Sequence, residues 1–185
     1  MFTKVISFVA TLTLAAIPAF VPQAAFAASA AELNREARAA LKTLVARTPA
    51  AKELEKKAKG ILVFPSIVKA GLIVGGQYGE GVLYKGGKVA GYYNTAGGSY
   101  GLQAGAQKFG YVMFFMSDSA LAYLGKSEGF EIGVGPTVVV MDEGKAKSLT
   151  TTTAKDEVYA FIFSQSGLMA GLGLQGNKIT KLDKK

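Results

Sequence analysis

The 185-residue sequence contains no cysteine, no histidine and no tryptophan. Without cysteine there is neither a disulfide nor a thiol nucleophile, and without histidine the commonest general base and metal ligand is missing. The usual nucleophile–base pairs and most transition-metal sites are therefore excluded. We expect a non-enzymatic protein with no catalytic residue, no metal and no cofactor.

Carboxylates are the remaining candidates for acid–base chemistry, so an enzyme stays open as an alternative. The spacing of these acids singles out no pair, and it does not match an EF-hand calcium loop. The Gly-x-Gly patterns at 79–81 and 133–135 lack the following helix that a nucleotide-binding motif requires. The acids considered are Glu80, Asp118, Glu128, Glu131, Asp142 and Glu143.

Residues 1–27 have the pattern of a secretory signal peptide. Lys4 precedes an apolar run over 5–16, and Ala25-Phe26-Ala27 has the small-x-small form that signal peptidase cuts. The apolar run is shorter than the roughly 20 residues that a membrane-spanning helix needs, although a retained anchor is the alternative. We expect an exported protein that is periplasmic, secreted or peripheral at the inner leaflet of the outer membrane, with 28–185 as its single domain.

The predicted mature chain is basic. Its net charge is +7, because Lys4 is the only charged residue before position 28 and the whole chain carries +8. A basic exported protein meets anionic lipid head groups and acidic polymers more readily than nucleic acid, so nucleic acid is not an expected partner.

The domain divides into a helical part over 31–58 and a β-rich part over 59–182. Apolar residues at helical spacing predict an amphipathic helix at 31–47, and a second, lysine-rich helix follows at about 50–58. Thr48-Pro49 separates the two, because a residue before proline avoids helical geometry.

The β-rich part predicts successive strands. Gly86-Gly87 marks a hairpin turn, a strand at 61–64 is expected to end at Pro65, another strand is expected at 71–76, a short helix at 117–124, and a loop at 142–154. Glycine recurs inside the strands, which is typical of sheets that bend sharply. The fold class is therefore α+β: a glycine-rich, strongly twisted, antiparallel and barrel-like sheet with two N-terminal helices and one short inner helix.

Ordered motifs in this region resemble the SYLF-domain family. They are KGILVF at 59–64, KAG at 69–71, GEGV at 79–82, GSYGLQAGA at 98–106, GP at 135–136 and YAFIFSQSGLMAG at 159–171. The resemblance implies lipid binding helped by a basic amphipathic N-terminal segment. Some relatives bind actin, but an exported bacterial protein would not meet actin in its own cell, so actin is not an expected partner. Several relatives carry a tryptophan after the first hairpin, where this chain has Gly91-Tyr92-Tyr93-Asn94.

The candidate lipid-binding residues are the cations of the helical part and the first strand, which would meet an anionic phospholipid membrane surface. The alternative is that the apolar helix face packs on the sheet and the charges are merely solvated. A second functional hypothesis is an envelope structural or adaptor protein that binds other proteins without lipid. The candidates are Arg35, Arg38, Lys42, Arg47, Lys52, Lys56, Lys57, Lys59 and Lys69.

Overall fold

The computed structural model describes residues 29–71, 74–100, 105–126, 129–149, 154–164, 167–168 and 176–184. The predicted signal peptide at 1–27 lies outside the described residues, as do Glu128 and the segment 169–175.

Two helices open the described chain, as the sequence predicts. Helix α1 spans Ala30–Arg47 and begins at Ser29, whose hydroxyl accepts a hydrogen bond from the Glu32 backbone N–H at 3.1 Å. Helix α2 spans Pro49–Lys57, with Pro49 in the first turn where its missing N–H is harmless. Both predicted helices are confirmed, each to within a residue at its ends.

The remaining described elements form one sheet with two short helices. They are β1 (Gly60–Gly71), β2 (Val74–Lys85), β3 (Lys88–Tyr100), β4 (Gly105–Phe115), α3 (Asp118–Leu124), β5 (Phe130–Glu131), β6 (Val138–Met141), α4 (Glu143–Ser148), β7 (Val158–Ser164), β8 (Gly167–Leu168) and β9 (Lys178–Leu182). The sheet order is β5-β9-β3-β2-β1-β4-β7-β6, and β8 pairs with β7.

The sheet curls into a half-barrel, which confirms the α+β class and the barrel-like shape. Strands β5 and β4 stand five positions apart in the sheet order, which would separate them by about 24 Å in a flat sheet. Nevertheless the rings of Phe130 on β5 and Phe115 on β4 meet edge to face, with centroids 5.9 Å apart. The face that carries these rings is therefore the concave face.

Close approach of β1 to β2 explains part of the glycine content. A Cβ on Gly81 would lie 2.6 Å from the Val63 carbonyl oxygen, and one on Gly79 would lie 2.7 Å from that of Ser66. The side chains of Phe64 and Ile67 occupy the space above these two glycines. Glycine is therefore required at these two positions because atoms of β1 come too close to leave room for a Cβ, which is the physical basis of the prediction that strand glycines mark sharp bends.

Two apolar cores lie on opposite faces of the sheet. The concave face buries aromatic residues together with Leu121 and Leu124 of α3. The outer face buries Leu33, Leu44 and Leu54 of α1 and α2 against the sheet. The two N-terminal helices are thus docked on the outside of the half-barrel, and the inner helix fills its inside.

Several expectations for the β-rich part are wrong. Strand β1 does not end at Pro65 but continues to Gly71, because the pairing shifts between Val63 and Ser66 and a bulge tolerates proline. The strand expected at 71–76 is divided between two strands, since Gly71 ends β1 and Val74 begins β2, and 72–73 lie outside the described residues. The expected loop at 142–154 contains α4, which Asp142 caps by accepting from the Lys145 N–H at 2.9 Å.

One strand pair departs from the antiparallel expectation. Strand β6 runs parallel to β7, whereas the other described strand pairs are antiparallel. Helix α4 lies between β6 and β7 in the chain, and a parallel pair requires such a crossover connection.

Candidate functional site

A groove of about 740 Å³ opens between α1, α2 and the β2–β3 turn. Apolar and cationic side chains line it together. We call it the basic groove; its lining residues are Arg38, Leu41, Lys42, Val45, Ala46, Lys52, Glu55, Lys56, Ala58, Ile61, Tyr84, Gly86 and Gly87.

The sequence builds the groove by breaking one helical segment into two. Thr48-Pro49 ends α1 and starts α2, so the chain turns and the two helices pack on the same outer face of the sheet. Leu33 and Leu44 of α1 are buried against the sheet, whereas Leu41 and Val45 are only partly buried. These half-buried side chains leave apolar surface facing the gap between the helices.

Arg38 is held at the rim of the groove by two contacts. Its guanidinium donates a hydrogen bond to the Gly87 carbonyl oxygen at 3.2 Å and lies over the Tyr84 ring, 4.9 Å from the centroid. Tyr84 in turn donates to Asn34 Oδ1 at 2.8 Å. Burial raises the pKa of Tyr84 to about 12, with Arg38 opposing the rise, so the phenol is neutral at physiological pH.

The groove has a net positive charge. Four cationic side chains and the single carboxylate of Glu55 line it, which gives +3. Lys56 also donates to Glu53 at 2.6 Å, and this hydrogen bond is the main cause that lowers the pKa of the Glu53 carboxyl. Because that ion pair is exposed to solvent, it holds Lys56 only weakly.

The structure brings together four of the nine predicted lipid-binding residues and places the others elsewhere. Arg38, Lys42, Lys52 and Lys56 line the basic groove. Arg35 pairs with Glu32 at 3.4 Å near the start of α1. Arg47, Lys57 and Lys59 are exposed outside the groove lining, and Lys69 is partly buried in β1. That these residues bind lipid stays a prediction.

Sequence reasoning missed the apolar half of the site. Leu41, Val45 and Ile61 belong to periodic apolar patterns, which predict that a side chain packs against the rest of the protein. Such a pattern does not show whether the side chain is fully or only partly buried. The one usable signal was Gly86-Gly87, since the hairpin turn it predicts brings the Gly87 carbonyl to Arg38.

A second cavity, of about 600 Å³, lies on the other flank of α1. Its apolar part includes Pro65, Phe109 and Phe163, and its charged residues are Glu36 and Lys108. One cation balanced by one carboxylate gives this cavity no net charge, which sets it apart from the basic groove.

The acids considered for catalysis do not converge in the described chain. Glu80 accepts from Lys184 at 2.6 Å and from the Tyr78 hydroxyl at 3.2 Å, while Asp118 and Asp142 lie at the starts of α3 and α4. Glu131 is exposed on β5, and Glu143 opens α4. Among the described residues, no group of three or more metal-binding side chains could hold an ion. No described helix is long and apolar enough to cross a bilayer.

Comparison with known proteins covers the C-terminal half of the chain. No curated protein matches the sequence. Residues 96–185 match the family described as Ysc84: Las17-binding protein actin regulator. The matched region runs from the end of β3 to β9 and includes three of the motifs noted above, whereas the basic groove lies before it. This match is consistent with membership of the SYLF-domain family, which the motifs of the chain resemble.

Proposed function

We propose that the protein binds membranes containing anionic phospholipid, and that the basic groove is where the head group and the first carbons of the acyl chains are held. Its SYLF domain is a binding domain of the lipid- or actin-binding kind. The observation that carries the proposal is the combination of a +3 charge with apolar lining side chains in one open groove. An amphiphile with an anionic head matches both properties at once.

The charges give the proposal its expected strength. A lysine or arginine near an anionic membrane contributes about 1 kcal/mol, so the groove cations Lys42, Lys52 and Lys56 together contribute about 3 kcal/mol. That corresponds to about a hundredfold in affinity. Because these cations sit in an open groove, salt should weaken the binding steeply.

The test is co-sedimentation of the protein with vesicles of phosphatidylcholine alone and of phosphatidylcholine with phosphatidylglycerol, each at low and high salt. We expect binding only to the anionic vesicles, lost at high salt. Replacing Lys42, Lys52 and Lys56 together with Gln should weaken binding about a hundredfold.

A matched control removes the same charge from elsewhere on the surface. Lys108, Lys155 and Lys181 are exposed and lie outside the basic groove. Their joint replacement with Gln lowers the net charge equally, but it should weaken vesicle binding much less. Equal loss in both triple variants would show that only overall charge matters and would refute the groove as the binding site.

A protein partner is the second candidate function, and one observation favours it. Val68 and Tyr78 are paired across β1 and β2 on the outer face, and they are 51% and 49% exposed. Large apolar side chains exposed side by side are typical of interaction surfaces. Co-sedimentation with filamentous actin, with and without a Val68→Ser and Tyr78→Ser double substitution, tests the partner that the family description suggests.

We also propose that the protein is exported and acts by binding alone. The signal-like pattern at 1–27 supports an exported protein that works as a peripheral component at a membrane surface in the periplasm or outside the cell. Binding of this kind needs no catalytic group, and the expectation of a non-enzymatic protein stays a prediction.

A further inference from the structure

The concave face of the half-barrel changes from apolar to polar along its strands. Near α3 it is lined by aromatic side chains such as Phe115 and Phe130. One step beyond Ile67, neighbouring strands instead place Lys69, Gln77 and Gly97 side by side, because Gln77 pairs with Lys69 on one side and with Gly97 on the other. Directly paired residues share a face of a sheet, so this row is the next layer of the interior.

Further polar residues surround this row. The Asn177 amide lies against Gly97, since a Cβ added at Gly97 would collide with Asn177 Oδ1. Thr95 is two residues from Gly97 on β3 and therefore points to the same face. Burial raises the pKa of Tyr111 and the nearby Thr95 hydroxyl opposes that rise, so the two hydroxyls lie close together, although they do not reach hydrogen-bond geometry. We call Lys69, Gln77, Thr95, Tyr111 and Asn177 the interior polar tier.

Four atoms of the interior polar tier are buried without a partner. Gln77 is 9% exposed, Asn177 3%, and Thr95 and Tyr111 are fully buried. In the described part of the chain, Gln77 Nε2, Asn177 Nδ2, Thr95 Oγ1 and the Tyr111 hydroxyl oxygen have no hydrogen-bond partner. Buried polar atoms nearly always have one, so four such atoms in one region indicate a group that is bound there in the working protein.

The chemistry of these atoms specifies that group. Two amide –NH₂ groups can only donate, the two hydroxyls can donate, and the partly buried Lys69 brings a positive charge to the same face. Water can satisfy the amides and hydroxyls and can solvate the partly exposed Lys69. An oxygen-rich anion can accept from the same donors and also carries the charge opposite to that of Lys69, so it fits this set of groups better than water does.

We propose that the interior polar tier binds a phosphate group, carried by a phosphomonoester or a phosphodiester. The site lies on the concave face of the sheet, opposite the face on which α1 and α2 dock, so it is separate from the basic groove and does not depend on it. The phosphate could come from a soluble metabolite or from a lipid head group.

The test is calorimetric titration of the full chain with inorganic phosphate, glycerol 3-phosphate and monomeric short-chain phosphatidylglycerol. Saturable binding of at least one of these supports the proposal. Tighter binding of the lipid than of glycerol 3-phosphate would identify a lipid head group as the source, and the reverse would identify a soluble phosphate. Lys69→Met should weaken binding about tenfold or more, because it removes the charged donor. Absence of binding by all three compounds would overturn the proposal.

Two glycines provide a matched pair of variants. Gly97→Ala displaces the Asn177 amide, whereas a Cβ at Gly98 meets no atom within 4 Å. We expect Gly97→Ala to lose phosphate binding and Gly98→Ala to keep it. Phosphate binding that Gly97→Ala leaves intact would refute the interior polar tier as the site.

A stability measurement keeps the test independent of folding defects. Thr95→Val and Tyr111→Phe remove unpartnered hydroxyls, so in phosphate-free buffer neither should lower the melting temperature, but both should reduce the rise that phosphate produces. A clear fall in melting temperature without phosphate would mean that the hydroxyls are satisfied within the protein, and it would overturn the proposal. The triple Gln variant of the basic groove should bind phosphate normally, because its three substitutions lie on the other face of the sheet.

Discussion

The two faces of the half-barrel use the same strands for different purposes. The outer face is covered by two amphipathic helices whose buried residues are mostly alanine and leucine, and their cations remain at the surface around the basic groove. The concave face is closed by large aromatic residues and α3, and its polar groups are buried. Cationic side chains are therefore exposed on the outer face, whereas the hydrogen-bond donors of the concave face are buried.

The curl of the sheet explains why its two faces differ in this way. Curling compresses the concave side, so large rings from distant strands meet there, as Phe115 and Phe130 do. The same curling leaves the outer side convex, where helices of small residues can dock but cannot seal every gap. The basic groove is one such gap.

The largest expected effect compares the two cores directly. Phe115→Ala removes a fully buried ring that joins β4 to β5, and it should lower the free energy of unfolding by about 3–5 kcal/mol. Leu44→Ala in the outer core should lower it by about 2–3 kcal/mol, since α1 can shift to fill part of the space. Urea denaturation measures both values. A larger loss for Leu44→Ala would mean that the helices, and not the ring contacts, hold the fold together.

The next prediction tests the close approach that shapes the concave face. A Cβ on Gly81 would lie 2.6 Å from the Val63 carbonyl oxygen and 2.7 Å from the Phe64 ring, so Gly81→Ala should destabilise the protein by about 1–3 kcal/mol. Gly98→Ala, which meets nothing, should change stability by less than about 0.5 kcal/mol. Similar values for the two substitutions would remove close packing as the reason for glycine in β2.

The sequence predicts best what depends on neighbours along the chain. The two helices, the Gly86-Gly87 turn and the cap at Ser117 follow from local signals, and all are present. The prediction that the strand ends at Pro65 is wrong because β1 continues through a bulge at this residue. That bulge depends on the pairing of β1 with β2 and β4, which a local sequence pattern does not reveal. Helix α4 is missed because a six-residue polar helix has almost no apolar pattern.

The candidate sites are less predictable for the same reason. Cations at 38, 42, 52 and 56 are evident in the sequence, but only the docking of α1 against α2 shows which of the nine candidates share a groove. Lys69 lies in β1, and the face of the sheet that carries its side chain follows only from the pairing of Lys69 with Gln77. A one-residue change of register would place it on the other face.

A pH titration compares a buried phenol of the outer face with the rest of the protein. The pKa of Tyr84 is raised to about 12 in the folded protein. As pH rises above about 10, Tyr84 therefore loses its proton in the unfolded chain before it does so in the folded protein. The stability that Tyr84 contributes is therefore complete below about pH 10 and is lost as pH rises through its folded pKa, a fall of about 1–3 kcal/mol. Tyr84→Phe should remove that part of the fall, which urea denaturation across this pH range detects. An identical fall in the variant would assign it to other groups.

The smallest expected effect concerns the helix caps on the two faces. Ser29 caps α1 outside the half-barrel, and Ser117 caps α3 inside it, each by accepting one backbone N–H at 3.1 Å. Ser29→Ala and Ser117→Ala should each destabilise by about 0.5–2 kcal/mol, with Ser29→Ala at the low end because water replaces the lost partner at an exposed site. Amide hydrogen exchange separates the two cases. Faster exchange confined to the first turn of α1 would show that the outer helix frays by itself, whereas Ser117→Ala should speed exchange throughout the concave core, because α3 packs against residues from several strands.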